Sequence, residues 1–334
     1  MILVSYYWPP AGGSGVQRWW YFANQLAKRG WKIDVITVQD PVGSPSDDSL
    51  QVQTHPNIHI LPLSIWEPGK RFYHTDKPRA KGGLAYQVIR WVRANFFFPD
   101  ARQFFIKPAI RLINKRLKEQ PADWLITTGP PHSMHVVGYA LRKTNNIQWL
   151  ADFRDPWSQF FVNYELPMMS YVRNRHKRME KKIVSAADCV ITTSQSLTAI
   201  YKQYNPSVVT ILNGYEKLLD GELAQKFTMT YAGALKSNQH LEVVFSALKT
   251  LSDRDQLFAK QLRFRLYGAS DFINPPTQLK DQFVAYGYRT KQEIDFVLPQ
   301  SHILLLLGND HPDSQLVIHG KLYAYMAARR PVLA

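Results

Sequence analysis

Gly12-Gly13-Ser14-Gly15 stands between an apolar run, Ile2 to Tyr7, and a segment whose Trp19, Phe22, Ala23, Leu26 and Ala27 share one helical face. Glycines at the mouth of a helix let backbone close on an anion or a sugar, because no Cβ intervenes and the first helical N–H groups point outward. Gly12 and Gly13 are therefore candidate ligand contacts. Gly30 ends the helical pattern and a second apolar run, Lys32 to Val38, completes a βαβ opening. Open α/β sheets bind ligands at the carboxyl ends of their strands, which is where this loop falls. Three uses of the loop stay open. It could hold a sugar nucleotide or an acceptor. It could be a dinucleotide fingerprint with Asp40 as the ribose acid, although Arg18 stands where G-x-G-x-x-G needs its third glycine. It could also do no more than close a βα turn.

Other chemistry-bearing residues cluster at the ends of later apolar runs. Pro130-Pro131-His132-Ser133 follows one of them; Asp152, Arg154 and Asp155 close the next. Such groups can meet hydroxyls, or pair with one another as a structural triad. His319-Gly320-Lys321 opens a helical pattern after a polar turn. A lysine there opposes the helix dipole unless an anion compensates it, so Lys321 marks an anion site.

The elements that must position these residues alternate. Strand candidates fall at Ile58 to Leu63, Trp124 to Thr128, Trp149 to Phe153, Cys189 to Thr193 and Val208 to Leu212, with helical patterns between most of them. After Asn213-Gly214-Tyr215-Glu216 the pattern restarts: a strand at Thr228 to Ala232, Gly233, a helix from about Gln239 to Leu251, then strands at Phe264 to Tyr267, Val284 to Gly287 and Ile303 to Leu307. This is the signature of doubly wound parallel sheets. The reading is an α/β chain of two Rossmann-like domains, residues 1–216 and 227–334, with 217–226 as linker. Pro41 to Asp48 and Glu67 to Gly83 are polar and turn-rich, and are expected as surface loops.

Composition narrows the function classes. With 334 residues, 45% hydrophobic and 20% charged, the chain is an ordinary globular protein large enough for two cores. Its one cysteine, Cys189, excludes a disulfide or metal-thiolate framework and suits a reducing compartment. No leader pattern opens the chain and no apolar run approaches a bilayer-spanning length, so a cytoplasmic protein is expected. The formal charge of +15 asks for an anionic partner. Arg90, Arg93, Arg102, Lys107, Arg111, Lys115, Arg116 and Lys118 interleave with Trp91, Phe96, Phe97, Phe98, Phe104 and Phe105; Arg173, Arg175, His176, Lys177, Arg178, Lys181 and Lys182 form a second cluster. Cations beside aromatics suit an anionic membrane surface. No nucleic-acid module is visible, and a solvated basic face is the plain alternative.

Six words stand in a recognisable order: P-P-A-G-G-S-G before the first helix, T-T-G-P-P-H-S at Thr127 to Ser133, D-F-R-D-P-W at Asp152 to Trp157, N-G-Y-E at Asn213 to Glu216, Y-A-G-A-L at Tyr231 to Leu235, and G-K-L-Y-A-Y-M-A-A-R-R-P-V-L-A at Gly320 to Ala334. Together they resemble glycosyltransferase family 4, retaining nucleotide-sugar enzymes of GT-B fold, and a bacterial branch associated with surface polysaccharide assembly. The resemblance implies a GT-B pair of domains facing a cleft, with the donor held mostly by the C-terminal one. It places the donor diphosphate at Gly233, Lys236, His319, Gly320 and Lys321, with Gly12 and Gly13 opposite. It makes His132 the contact to the transferred sugar, with Asp155 beside it as a catalytic candidate and Asp152 and Arg154 on the acceptor side. It implies no metal or other cofactor, and as partners a nucleotide sugar and a glycan or lipid-linked acceptor; the charge pattern adds an anionic membrane surface as a candidate partner and no nucleic acid. Two departures stand out. The family's E-x7-E glutamates would fall at Ala324 and near Leu316, and neither is present. The chain also stops at a strand, Pro331 to Ala334, where more sheet is expected, so the second domain reads as incomplete. A non-catalytic relative that binds a nucleotide sugar or a partner enzyme, and a nucleotide-sugar epimerase of the same architecture, stay open beside the transferase.

Overall fold

Short apolar runs without alternation are what strands buried on both faces require, and a computed structural model of the chain builds two all-parallel sheets from them. It describes residues 1–12, 14–42, 54–67, 83–159, 166–235, 239–268 and 275–334. The chain divides into two compact units, Met1–Leu212 with Gln315–Val317, and Asn213–Ser314 with Ile318–Ala334.

In the first unit the elements run β1 (Ile2–Val4), α1 (Ser14–Lys28), β2 (Ile33–Val38), β3 (Ile58–Leu63), α2 (Leu84–Phe96), α3 (Ile106–Glu119), β4 (Trp124–Gly129), α4 (Ser133–Thr144), β5 (Gln148–Phe153), α5 (Ser170–Ala186), β6 (Cys189–Thr192), α6 (Gln195–Tyr201) and β7 (Val208–Thr210). The strand order is β3-β2-β1-β4-β5-β6-β7. The central strand pairs on both sides, Leu3 opposite Val35 and Ile126. The chain lays β2 and β3 to one side of β1 and then turns to the other, so the crevice between β1 and β4 is the switch point where this class of sheet binds ligands. The loops after those two strands carry Gly12 and His132.

Alternation along β1 splits the core. Ile2 and Val4 join Ile113, Val137, Trp149 and Ile183 on one face, while Leu3 packs with Val16, Trp19, Trp20, Ala23 and Ala27 of α1 on the other. Helix α1 thus buries Val16 and Trp20 as well as the expected Trp19, Ala23 and Ala27, leaving Phe22 and Leu26 partly covered. Helix α4 lies unusually close to the sheet. A Cβ built on Gly138 would stand 2.3 Å from the fully buried Trp149 indole, so only glycine fits there.

The second unit runs β8 (Thr228–Ala232), α7 (Leu241–Arg254), α8 (Gln256–Gln261), β9 (Arg263–Tyr267), β10 (Phe283–Ala285), α9 (Lys291–Val297), β11 (Ile303–Leu305), α10 (Gly320–Ala328) and β12 (Val332–Leu333). Its order is β10-β9-β8-β11-β12, which puts the switch point between β8 and β11.

Three expectations change. Residues 217–226 are no free linker: Leu219 is buried and its N–H bonds the Ala327 carbonyl at 2.8 Å, while the Ala224 N–H bonds Gln300 at 3.0 Å, so the segment packs on the second unit. Glu67, expected on a surface loop, is buried as the hydrogen-bond acceptor of the Tyr6 hydroxyl and lies 3.6 Å from Arg102. Val42 is likewise buried, its carbonyl taking Arg102 at 3.1 Å; residues 43–48 and 68–82 of the two expected loops lie outside the described residues. Among the described residues, no helix is long and apolar enough to cross a membrane.

Candidate functional site

In the first unit the carboxyl ends of β1, β4 and β5 carry the predicted residues. Gly12 is buried in the bend after β1, whereas Gly13 lies outside the described residues. Asp152, expected to meet acceptor hydroxyls, is fully buried and already saturated. Its Oδ1 accepts from Arg18 at 3.0 and 3.3 Å, and its Oδ2 accepts from the Trp19 indole at 2.6 Å and the Thr128 hydroxyl at 2.8 Å. With both oxygens taken, Asp152 is a structural anchor for α1, and its partner is Arg18 rather than Arg154. Arg18 occupies the place where a dinucleotide fingerprint would need glycine.

Arg154 also serves the scaffold. Its guanidinium donates to the carbonyls of Gly15, Gly129 and Pro130, tying the start of α1 to the loop after β4. Burial lowers its pKa, and the carboxylates of Asp155 and Asp152 act against that shift. Asp155 is half-buried in the bend after β5.

His132 is 9% exposed and stacks flat on Trp157, with ring centroids 4.7 Å apart and planes 2° from parallel. Next to it, His135 stacks on Phe153 at 4.1 Å. The Trp149 indole donates to Thr127 Oγ1 at 3.0 Å, and the same hydroxyl shares a hydrogen bond with His135 Nδ1 at 2.9 Å. His176 Nδ1 accepts from the Trp157 indole at 2.8 Å. All three imidazoles are held neutral, chiefly by burial: His132 well below its ordinary value, His135 pushed down to about 3 and His176 to about 4. The α4 N-terminus beside them already has an anion, since Asp100 accepts from the Ser133 N–H at 2.9 Å and from its hydroxyl at 2.7 Å. His132 Nδ1 finds no hydrogen-bond partner among the described residues, so the site holds a neutral imidazole with an unfilled polar position.

A pH dependence follows from these depressed values. A histidine neutral in the fold but titrating near 6.5 when unfolded binds its proton only in the unfolded chain, so its contribution is intact above pH 6.5 and lost as pH falls toward the folded value. Denaturant midpoints measured from pH 7 to pH 4 should fall, each such proton adding roughly 1 kcal/mol per pH unit to the slope. His135→Gln should reduce that slope by one proton; an unchanged slope would show that His135 titrates normally in the fold.

The second unit brings Gly233 and Lys321 together. Gly233 follows β8 with φ +137°, and Gly268 follows β9 with φ +133°, conformations that favour glycine. A Cβ on Gly233 would stand 2.3 Å from Lys321 Cε, and one on Gly268 would stand 2.2 Å from the Gly233 carbonyl oxygen. The Lys321 ammonium hydrogen-bonds the Tyr231 hydroxyl and lies 3.9 Å from its ring centroid. Tyr325, one turn along α10, donates to the Leu305 carbonyl at 3.1 Å and accepts from the Ala232 N–H at 2.9 Å. That bridge pins the helix across β8 and β11, and so fixes Lys321 at the switch point. His319 is the N-cap residue of α10, with Gly320 as the first helical residue, and its side chain makes no capping bond to the first-turn N–H groups. Lys236 lies outside the described residues. Ala324 packs against the apolar cluster around Leu298 and Tyr325, and Leu316 is buried; neither supplies a carboxylate.

Sequence reasoning missed four supporting residues. Glu180 is buried and accepts from the Tyr201 hydroxyl at 2.6 Å, the Trp157 N–H at 3.1 Å and Ser158, which sets the indole against His132. Its signal was there: it is the only acid within the cationic run of α5. Arg18, Asp100 and Gly268 act through partners distant in sequence and carried no local signal.

The sequence profile of Glycosyltransferase Family 4 matches residues 12–216, well over half of the chain. No curated protein matches significantly. Among solved structures, a sucrose-phosphate synthase from Thermosynechococcus elongatus is 16% identical at a TM-score of 0.65, covering 99% of this chain and 79% of its own. An E. coli trehalose-6-phosphate protein bound with UDP-2-fluoro glucose is 12% identical at 0.60, covering 99% and 83%. The lipopolysaccharide outer core galactosyltransferase WaaB is 12% identical at 0.52, covering 99% and 78%. At such identities the structural likeness speaks for the fold, and the two parallel-sheet units are those of GT-B glycosyltransferases. With the profile match spanning the unit that holds the glycine loop, His132 and the Asp152 anchor, the chain belongs to Glycosyltransferase Family 4.

Proposed function

We propose that this chain is a retaining glycosyltransferase that moves a sugar from a nucleotide-sugar donor to a lipid-linked or surface-glycan acceptor in cell-envelope polysaccharide synthesis, working in the cytoplasm. The observation that carries the reading is the Gly233–Lys321 contact at the switch point of the second unit. Charge builds on the donor diphosphate as the glycosyl bond breaks. An ammonium and a helix N-terminus held there beforehand stabilise that charge without reorganising. His132, neutral through burial, is available to a hydroxyl of the transferred sugar. In a same-face transfer the leaving phosphate takes the acceptor proton, so no side-chain nucleophile is needed. Asp155 is retained as a catalytic candidate near the reacting sugar, while Arg154 steadies the loops around it.

A screen of nucleotide sugars, read by thermal shift and by release of nucleoside diphosphate, tests this. One donor should raise the melting temperature by several degrees, as ligand well above its dissociation constant does, and should be hydrolysed slowly without acceptor. Failure of every nucleotide sugar and nucleoside diphosphate to bind would overturn the reading. The apolar setting of Ala324 favours one second reading, a relative that binds the nucleotide sugar without turning it over; binding without release across a range of acceptors would select it.

A further inference from the structure

One amphipathic helix of the first unit faces the wrong way for a soluble protein. Leu84, Val88, Val92 and Phe96 recur at every fourth position of α2 and so form one stripe, with Ile89 and Trp91 at its edges. All six are exposed, Leu84 by 79% and Phe96 by 65%, and none belongs to either core of the unit. Contiguous apolar surface of this kind marks an interaction site. The exposed charges of α2 and of the neighbouring α5 have one sign. Helix α2 contains no acidic residue, and Arg90 and Arg93 lie on the arc away from the stripe. Asn95 bonds the Pro167 carbonyl at 2.9 Å and accepts from the Met169 N–H at 2.8 Å, which brings the start of α5 alongside, with Met169 and Tyr171 exposed. Helix α5 then adds Arg173, Arg175, Lys177, Arg178, Lys181 and Lys182, and its single acid, Glu180, is buried.

We propose that α2 lies flat on an anionic bilayer, with its Leu84–Phe96 stripe among the acyl chains and the cations of α2 and α5 at the lipid phosphates. Thirteen residues make a helix of about 20 Å, too short to span a bilayer but suited to lying in its interface. Charge complementarity selects this occupant. A second copy of the chain would bring the same cations face to face, and a neutral membrane would leave them uncompensated. The basic region of the sequence divides accordingly. Arg102 is engaged inside the fold by Glu67, Arg116 is paired with Asp34 at 2.7 Å, and Phe105 is fully buried. The docking face is α2 with the start of α5. The inference rests on the glycosyltransferase reading only in giving that enzyme access to a membrane-borne acceptor.

Flotation with vesicles of phosphatidylcholine, alone or with about 30 mol % phosphatidylglycerol, tests it on the full chain. At about 0.1 M salt, wild type should partition at least roughly tenfold better onto the anionic vesicles, and several hundred millimolar salt should release much of it. The triple variant Leu84→Ser, Val88→Ser, Phe96→Ser should lose about tenfold or more of that partitioning, while Arg90→Gln with Arg93→Gln should weaken it and reduce its salt dependence. The six side chains are exposed, so circular dichroism and nucleoside diphosphate affinity measured without lipid should be unchanged in both variants; those controls also separate failure here from failure of the transferase reading. Wild type that ignores anionic vesicles, or a triple variant that binds them as wild type does, would overturn the proposal. So would sedimentation showing that the stripe joins two copies instead.

Discussion

Replacing Lys321 by alanine should weaken nucleoside diphosphate binding by roughly 10- to 100-fold, the loss of one charge-assisted hydrogen bond. The stem of this lysine packs on Gly233 and its ammonium on Tyr231, with Tyr325 locking the same helix across two strands. Its position is therefore set by the fold before any ligand arrives. The Tyr231 hydroxyl keeps other partners within reach, the Ala234 carbonyl at 3.2 Å and Gln239 at 3.1 Å, so its loss should leave the second unit folded. Calorimetric titration of wild type, Lys321→Ala and Lys118→Ala with the same nucleoside diphosphate is the measurement. Lys118 lies on the far more basic first unit, and its variant should bind within about twofold of wild type, since an exposed charge acts weakly through screened solvent. Equal affinity in all three proteins would remove Lys321 from the site.

Asp152→Ala should destabilise the first unit by about 3–5 kcal/mol, because it strands a buried guanidinium. Arg18 reaches Asp152 at 3.0 Å with both side chains almost wholly inaccessible to water. Trp19 and Thr128 would lose their acceptor at the same time. Denaturant unfolding should show the full effect in Asp152→Ala. Asp34→Ala, which breaks the more exposed pair with Arg116, should cost only about 1 kcal/mol or less. An Asp152→Ala protein of wild-type stability that fails only in transfer would return this carboxylate to the acceptor side.

The two variants also separate what local sequence holds from what it does not. Lys321 could be singled out as a candidate from sequence because its signal is short-range: a glycine, then a cation, at the start of a helical pattern, where the peptide dipoles make any cation costly without an anion. The alternation of short apolar runs with helical periods likewise determined two parallel sheets, since strands covered on both faces and helices covered on one leave different spacings. Gly233, by contrast, was named only through the family resemblance, and its close approach to Lys321 belongs to the tertiary structure. Nor was the role of Asp152 legible. Its place at a strand end is common to catalytic and structural carboxylates, and only the tertiary structure, by carrying Arg18 and Trp19 across more than a hundred residues, decided that both its oxygens are filled. Residues 217–226 read as a linker because the strand–helix pattern restarts after them, whereas the backbone bonds from Leu219 and Ala224 that hold them to the second unit are not visible in sequence. The basic-aromatic stretch shows the same division within a few turns of chain. Composition determined that cations and large apolar side chains stand together there; packing alone decided that Phe105 belongs to the core and that the stripe on α2 is left for solvent or a partner. Spacing is a property of neighbours along the chain, but burial depends on which surfaces the fold brings together, and that makes an acid an anchor or a ligand.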